Sequence, residues 1–236
     1  DVGVVAVSAC AWAGAWAWWV GWRADEDREG GVRRALGWSS GAFQIYAALW
    51  RGMRAQCDMD ESLPVHVCCR VVWDAALSLL TDSGRARTIC FFWGLGLSTQ
   101  GFITPMWNHG VASVEFWLFW VSHAQIAGAA VYCVGVLGYR PTRSDLLLAS
   151  VGGVLVAGAI FGLNMALGTN YSYLGAGQYE NRCVVDLLGP WPWRAPVMVA
   201  GAVSIFGLLY GASVAVRSVA RVARRAPLAG RVTEAA

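Results

Sequence analysis

The chain contains no lysine and little charge of either sign. All 18 basic residues are arginine, and charged residues make up 14% of the 236 positions, against about 25% in soluble domains. With 57% hydrophobic residues, a soluble protein of this size would need a far more polar surface. The absence of lysine more often reflects a GC-rich genome than a chemical role of the basic residues, so the net charge of +3 does not indicate nucleic-acid binding. The composition predicts a polytopic membrane protein.

The sequence also shows no internal repeat and no polar stretch that could form a soluble domain. We therefore expect a single transmembrane domain over residues 1–236. No basic residues precede the first apolar stretch, so a cleaved signal peptide is not expected.

Seven apolar stretches approach the length of about 20 helical residues that crosses a bilayer. The second is short and interrupted by Ser39, Ser40 and Gln44. Residues 23–34 are predicted to be a charged linker, and residues 217–236 a basic cytoplasmic tail. The sequence thus predicts an all-α, seven-helix transmembrane bundle with spans at about 2–22, 35–50, 64–80, 88–104, 112–137, 145–168 and 195–216.

The distribution of arginine predicts the orientation of these spans. With seven helices, 13 arginines fall in segments 23–34, 85–87, 140–143 and 217–236 on one side, and four fall on the other. Omitting the second span leaves 9 against 8. Because cytoplasmic flanks carry an excess of arginine, we expect a multi-pass cell-membrane protein with its N-terminus outside and its C-terminus in the cytoplasm.

Residues 164–193, which we call the lid, join the sixth and seventh spans on the predicted outer side. Two prolines stand among tryptophans near the end of the lid, where a helix cannot continue, and tryptophan favours the membrane–water interface. The lid also supplies Asn164, Asn170 and Asp186. Cys183 in the lid and Cys57 in loop 51–63 share the outer side, where disulfides persist, so we predict that they are close enough to bridge, with two free thiols as the alternative.

Polar residues of the third span gather on one helical face. His66, Arg70 and Asp74 are spaced i, i+4 and i+8, and Cys69 shares their face. Cys68 is turned roughly 200° away from His66. A metal site of His66, Cys69 and His123 is conceivable, but the spacing is not specific and the chain has no CxxC pair. We expect no metal and no cofactor.

Depth along each span places further polar side chains near this face. Unsatisfied polar groups in hydrocarbon are costly, so we predict one cavity in the outer half of the bundle, capped by residues 186–193. The alternatives are an Arg70–Asp74 pair that only knits the bundle, a histidine bonded across to another helix, and asparagines that cap helices. The predicted lining is His66, Arg70, Asp74, His123, Asn164 and Asn170, with Gln100 at similar depth.

Seven short strings of polar, aromatic and turn-forming residues lie within residues 60–215: His66–Cys68, Phe92–Leu95, Thr104–Pro105, Ser122–His123, Gly138–Thr142, Gly168–Tyr171 and Asp186–Trp193. Together they resemble the bacterial YwaF-like integral membrane proteins, which are related to the transmembrane protein 164 family. The last string is the most specific. Two departures change the local charge, namely Cys69 where a polar or acidic residue is usual and Arg194 where an aromatic is expected.

The resemblance implies a seven-helix fold and an acyltransferase that acts on phospholipids through a cysteine acyl-enzyme. It makes Cys68 the candidate nucleophile, with Cys69 next to it, and His123 or His66 the candidate base. Membrane lipids are the expected partners, with an acyl chain or a lysophospholipid as substrate and no nucleic acid. The candidate substrate-binding residues are Arg70, Asp74, Gln100, Asn164, Asn170, Asp186, Trp191 and Trp193.

A non-catalytic interpretation uses the same pocket. The chain would then bind or move a lipid or another amphiphile, or serve as a subunit of a membrane assembly, with Arg70 as the phosphate contact. A thiol that is exposed to the pocket within reach of a histidine favours the enzyme. Cysteines packed against apolar side chains favour the binder.

Overall fold

The structure, a computed structural model, describes residues 26–54, 66–103, 110–177 and 184–232. Over these residues the chain is helical and contains no strand. The helices are α1 (Glu26–Arg54), α2 (Val67–Leu80), α3 (Gly84–Ile89), a π-helix (Cys90–Ser98), α4 (Gln100–Ile103), α5 (Val114–Gly135), α6 (Arg143–Leu167) and α7 (Arg194–Val232). Two 3-10 turns, Tyr171–Tyr173 and Val184–Leu188, belong to the lid.

Six of the seven predicted spans lie on described helices, with α3, the π-helix and α4 together forming the fourth. The first predicted span, 2–22, lies outside the described residues, so the seven-helix count stays a prediction. Three helical segments are long and apolar enough to cross a membrane, namely Val114–Gly135, Arg143–Leu167 and Arg194–Arg221. The chain is therefore a membrane protein by fold as well as by composition.

Two helices extend beyond the spans that hydropathy predicts. Helix α1 includes the described part of the predicted linker 23–34, where Glu29 accepts a hydrogen bond from Tyr132 at 2.8 Å and pairs with Arg33 at 3.6 Å. Helix α7 continues to Val232, well into the predicted tail. Near the start of this extension Arg217 donates to the Pro141 carbonyl at 3.2 Å. A tertiary hydrogen bond thus ties each of these extensions to the rest of the bundle.

Loops that the charge pattern assigns to one side meet at one end of the bundle. At the lid end, Trp50 of α1 donates to Glu115 of α5 at 3.2 Å. At the opposite end, Arg217 of α7 reaches Pro141, in the turn before α6. The antiparallel alternation of the helices agrees with the predicted topology, and the side of the membrane that each end faces stays a prediction.

The described helices divide into a buried group and a mostly exposed pair. About half of α5 is buried, whereas α6 and α7 are largely exposed within the described part of the chain. The π-helix packs closely on its neighbours through glycine: a Cβ on Gly94 would lie 2.9 Å from Ile126, and one on Gly96 would lie 2.9 Å from Phe206. Helices α2 and α5 and the π-helix therefore form the core, with α6 and α7 at its edge.

A polar junction closes the end opposite the lid. The Thr88 hydroxyl donates to Asp145 at 2.8 Å and lies 3.1 Å from the Tyr139 hydroxyl. Asp145 also forms a capping box with Thr142 at the start of α6. Burial, together with the nearby Asp145 carboxylate, raises the pKa of Tyr139 above its usual value. Tyr139 therefore stays protonated and ties the turn before α6 to α3.

Candidate active site at the lid end

Asn164 organises the first part of the lid. Its side-chain oxygen accepts from the Tyr171 backbone N–H and from the Thr169 hydroxyl, both at 2.9 Å. Its amide nitrogen donates to the Tyr171 carbonyl at 3.0 Å. Gly168, at φ 69°, ends α6 in the left-handed conformation that glycine tolerates. Asn164 therefore acts here as a buried helix-end and loop organiser, in line with the capping alternative.

The middle of the lid is held by Asn170 and by Arg194, the first residue of α7. Asn170 accepts from the Gly175 N–H at 2.8 Å and donates to the Gly177 carbonyl at 2.7 Å. Arg194 is only 6% exposed and donates to the same two glycines, at 2.6 Å to the Gly175 carbonyl and 3.0 Å to the Gly177 carbonyl. Trp191 donates to the Leu174 carbonyl at 3.3 Å. Arg194, which stands where the resembling proteins have an aromatic residue, thus holds the middle of the lid from the start of α7.

Ser172 joins the lid to the start of α2, in a contact that we call the clasp. The Ser172 hydroxyl accepts from the Val67 N–H at 3.2 Å, and the Ser172 N–H donates to His66 Nδ1 at 3.4 Å. The rings of His66 and Tyr171 meet edge to face at 5.5 Å. Ser172 and Tyr173 both adopt left-handed φ values, 55° and 63°, which cost about 1–3 kcal/mol each. The lid network therefore holds a strained turn against His66, the residue that directly precedes α2.

The two adjacent cysteines occupy different environments in the first turn of α2. Cys68 packs against the apolar core cluster, with the Ser98 hydroxyl beside it. The Cys69 sulfur instead accepts a hydrogen bond from Arg51 Nη1, at 3.6 Å, across the α1–α2 contact. Both thiols are free and partly buried. A cation therefore faces Cys69 and not Cys68.

His123 lies inside the bundle, at the contact of α4 with α5. It is 6% exposed, and its Nδ1 lies 2.8 Å from the Phe119 carbonyl oxygen. A Cβ on Gly101 would come within 2.7 Å of its Nε2. Helix α5, which carries His123, packs against α1 and α2, which carry Arg51 and Cys69. We call this three-helix region the Arg51 neighbourhood.

Several other predicted site residues face outward. Arg70 pairs with Asp74 at 3.2 Å, as expected for residues one helical turn apart, but 69% of the Arg70 side chain is exposed. Trp193 is 71% exposed, and Asp186 is exposed as well. Gln100 is partly buried at the start of α4. Their predicted roles in substrate binding stay predictions.

Cys57 and Cys183 both lie outside the described residues, so their disulfide also stays a prediction. Within the part of the chain that the structure describes, no three His, Cys, Asp or Glu side chains cluster as a metal site.

The comparison with protein-family models matches residues 2–210 to the TMEM164 family. The chain belongs to the TMEM164 family. Searches of curated proteins and of solved structures found no match. The suspected relation to transmembrane protein 164 is thus confirmed, and the matched region extends beyond the strings that carried the resemblance to include α1.

Two contacts of this protein were not predicted from the sequence. Arg51 was assigned to an outer loop. It directly follows Trp50 at the end of the second apolar stretch, which places it at the same depth as Cys69, its partner in the first turn of α2. Ser172 gave no signal, because a serine between two tyrosines is not distinctive and its partners, His66 and Val67, lie over 100 residues away in the chain.

Proposed function

We propose that this TMEM164-family protein is a membrane-embedded acyltransferase that transfers an acyl chain from a phospholipid through a thioester on Cys69. One observation carries the proposal: the Arg51 guanidinium donates to the Cys69 sulfur at 3.6 Å in the first turn of α2. A cysteine acyl-enzyme forms from the thiolate, which a neighbouring cation and a helix N-terminus both favour. Cys69 has both features.

The choice of Cys69 over Cys68 follows from their surroundings. Cys68 packs against apolar side chains of the core and lacks a basic partner among the described residues, which suits a structural cysteine. Cys69 faces Arg51 and lies one turn from His66, whose carbonyl accepts from the Cys69 N–H at 2.9 Å. The resemblance had pointed to Cys68, so the geometry moves the proposed nucleophile by one residue.

The proposed reaction uses groups of this neighbourhood. His123 Nε2 takes the Cys69 proton as the sulfur bonds to the ester carbonyl carbon, and the C=O electron pair moves onto oxygen. The intermediate collapses, the ester C–O bond breaks, and the departing glycerol oxygen takes the proton from His123. A lysophospholipid hydroxyl then attacks the thioester, transferring the chain and returning the proton to sulfur. The two steps together return Cys69 and His123 to their starting protonation states.

The surface of the lid end supports a lipid substrate. Large apolar side chains are exposed there, including Ile103 at 68%, Leu187 at 83% and Trp193 at 71%. Tryptophan and aliphatic side chains at such a position suit the membrane interface, where an acyl ester resides. An acyl chain could reach the α2 turn from the bilayer while its headgroup stays in water.

Intact-mass analysis tests the proposal. We would incubate the full chain in detergent micelles with a diacyl phospholipid labelled in one chain, and measure a hydroxylamine-sensitive adduct of one acyl group. We expect the adduct in the wild type and in Cys68→Ala, and none in Cys69→Ala. An adduct that disappears only in Cys68→Ala would refute Cys69 as nucleophile. Tight lipid binding with no adduct in any variant would show a binding protein instead.

A matched pair of arginine substitutions tests the activating contact. Arg51→Gln removes the charge beside Cys69, and we expect adduct formation to slow by about 10–100-fold, as when a charge-assisted hydrogen bond of about 1.5–3 kcal/mol is lost. Arg34 is exposed on the same helix, so Arg34→Gln should leave the rate within about threefold of wild type. Equal rates for both variants would contradict a role for Arg51.

A further inference from the structure

We propose that the end of the bundle opposite the lid binds one anionic phospholipid, whose headgroup lies on a cluster of arginines that we call the basic corner. The basic corner comprises Arg140, Arg143, Arg217 and Arg221. It lies where the turn before α6 meets the far end of the apolar part of α7. Cys69 lies at the other end of the bundle, so this lipid has no part in the proposed acyl transfer.

One hydrogen bond between α7 and the turn before α6 brings the four arginines together. Arg217 Nη2 donates to the Pro141 carbonyl at 3.2 Å. Arg140 directly precedes Pro141, and Arg143 follows it by two residues, at the first position of α6. Arg221 lies one turn beyond Arg217, about 6 Å along α7 at a rise of about 1.5 Å per residue. The backbone thus places all four arginines at one corner of the bundle.

The arginines of α7 continue the helical face that packs on the core inside the bundle. Phe206 is fully buried in the core cluster, and Tyr210, one turn later, packs against the same cluster. Residues three or four positions apart share a helical face, so this face continues through Ser213 to Arg217 and Arg221. Arg217 is still partly buried, whereas Arg221 is exposed. The core-facing side of α7 therefore leaves the bundle as a basic surface.

The positive charge of the basic corner is not neutralised by carboxylates. Across the described ranges none of its four arginines pairs with an acidic side chain. Asp145, the acidic residue closest to them in the sequence, accepts hydrogen bonds from Thr142 and Thr88. Asp82 pairs with Arg87 at 2.8 Å. Four positive charges therefore stand beside one carboxylate that is already hydrogen-bonded, which leaves the corner strongly attractive to an anion.

The corner also has guanidinium groups that are open to a ligand. Arg140 Nη1 donates to the Val134 and Tyr139 carbonyls at 2.8 and 2.9 Å, which fixes this side chain beside the turn. Arg143 and Arg221 are exposed and make no hydrogen bond to any described residue. A guanidinium binds two phosphate oxygens at once in a planar, bidentate arrangement. The phosphodiester of a phospholipid is therefore a suitable ligand for these two side chains.

The surface next to the corner favours a lipid over a soluble anion. Large aliphatic side chains are exposed on both helices there, namely Leu147 and Leu148 on α6 and Val214 and Val216 on α7. Acyl chains can lie along them while the phosphate lies on the arginines. A zwitterionic headgroup would bring its own cation against the arginines, so the corner selects an anionic headgroup. On the predicted topology this end faces the cytoplasm, and the cytoplasmic leaflet carries a negative surface potential.

Lipid titrations followed by native mass spectrometry test this site. We would release the full chain from detergent micelles that contain dioleoyl phosphatidylglycerol and dioleoyl phosphatidylcholine in competition. We expect one phosphatidylglycerol to be retained, with an affinity about tenfold above that of phosphatidylcholine. Each arginine near a membrane surface contributes about fivefold, so Arg143→Gln with Arg221→Gln should lower the affinity about 10–30-fold. Arg28→Gln with Arg34→Gln removes two exposed charges from α1 at the same end and should stay within about twofold of wild type.

A second measurement on the wild type does not depend on the folding of any variant. Phosphatidylglycerol with a photoactivatable diazirine in its headgroup should label peptides that contain residues 138–147 and 213–221. Labelling confined to the lid would overturn the proposal. Equal losses of affinity in the two double variants would also overturn it, because they would show a general positive field instead of a site. Displacement of the lipid by millimolar inorganic phosphate, or equal retention of both lipids, would show that no anionic phospholipid is selected.

Discussion

Replacing Asn164 by alanine should destabilise the lid. The side chain makes three hydrogen bonds, all to Thr169 and Tyr171, and is 3% exposed. Alanine keeps the helix but offers neither donor nor acceptor. The Tyr171 backbone N–H and carbonyl would both lose a partner in a residue that is fully buried.

The magnitude follows from the two stranded backbone groups. A buried donor or acceptor left without a partner costs about 1–3 kcal/mol. Two such groups give a loss of about 2–6 kcal/mol in the free energy of unfolding. The strained turn at Ser172 depends on this anchor, so the clasp on His66 should loosen together with it.

Unfolding in mixed micelles under increasing SDS, followed by tryptophan fluorescence, measures this loss. Met165, the next residue, is 58% exposed, so Met165→Ala should stay within about 0.5 kcal/mol of wild type. Thr169→Val should cost about 1 kcal/mol alone and nothing further on top of Asn164→Ala, because both remove the same bond. Asn164→Ala within 1 kcal/mol of wild type would refute the anchoring role.

Three further predictions concern other parts of the chain. Gly101→Ala should displace His123 and slow adduct formation by about tenfold or more, as expected for a displaced base. Gly128→Ala on α5 is the control, because nothing lies within 4 Å of a Cβ at Gly128, and it should leave the rate unchanged. Equal rates for the two variants would contradict the Gly101–His123 contact. Burial raises the pKa of Tyr139 in the folded state, so ionisation of Tyr139 opposes folding. The free energy of unfolding should therefore fall as pH rises past about 10, and Tyr139→Phe should lessen this fall in unfolding curves measured over a pH series. The same pH dependence in wild type and Tyr139→Phe would argue against this role of Tyr139. A cysteine at Ser218, in a chain without its native cysteines, should react with membrane-impermeant reagents only from the cytoplasm, and labelling from outside would reverse the topology.

Within the described residues the apolar runs coincide with helices, because bilayer thickness sets how long an apolar run must be. Hydropathy located the helix ends less well, since an end depends on individual hydrogen bonds. Helix α6 begins within two residues of its prediction because Thr142 and Asp145 form a local capping box that the sequence displays. Helix α1 starts earlier than predicted, and its first turn carries Glu29, which accepts a hydrogen bond from Tyr132, 103 residues away. A contact of that separation has no local signature.

The site shows the same division between local and distant information. Helical periodicity put Arg70 and Asp74 one turn apart and thus predicted their ion pair. It could not show that Arg51 rather than Arg70 faces Cys69, because that depends on how α1 packs on α2. The lid asparagines were predicted as polar contributors, but their partners lie within the lid, where the local fold uses most of their hydrogen-bonding capacity.

The clasp also sets an order of assembly during synthesis. Val67 and Ser172 are 105 residues apart, and translation at roughly 5–20 residues per second separates them by about 5–20 s. Throughout that interval the α2 turn, with its two thiols, is in the membrane without the residue that caps it and orients His66. The cysteine-bearing turn is completed only when the lid between α6 and α7 has emerged. A nascent or truncated chain would thus carry both thiols without the contacts that orient His66.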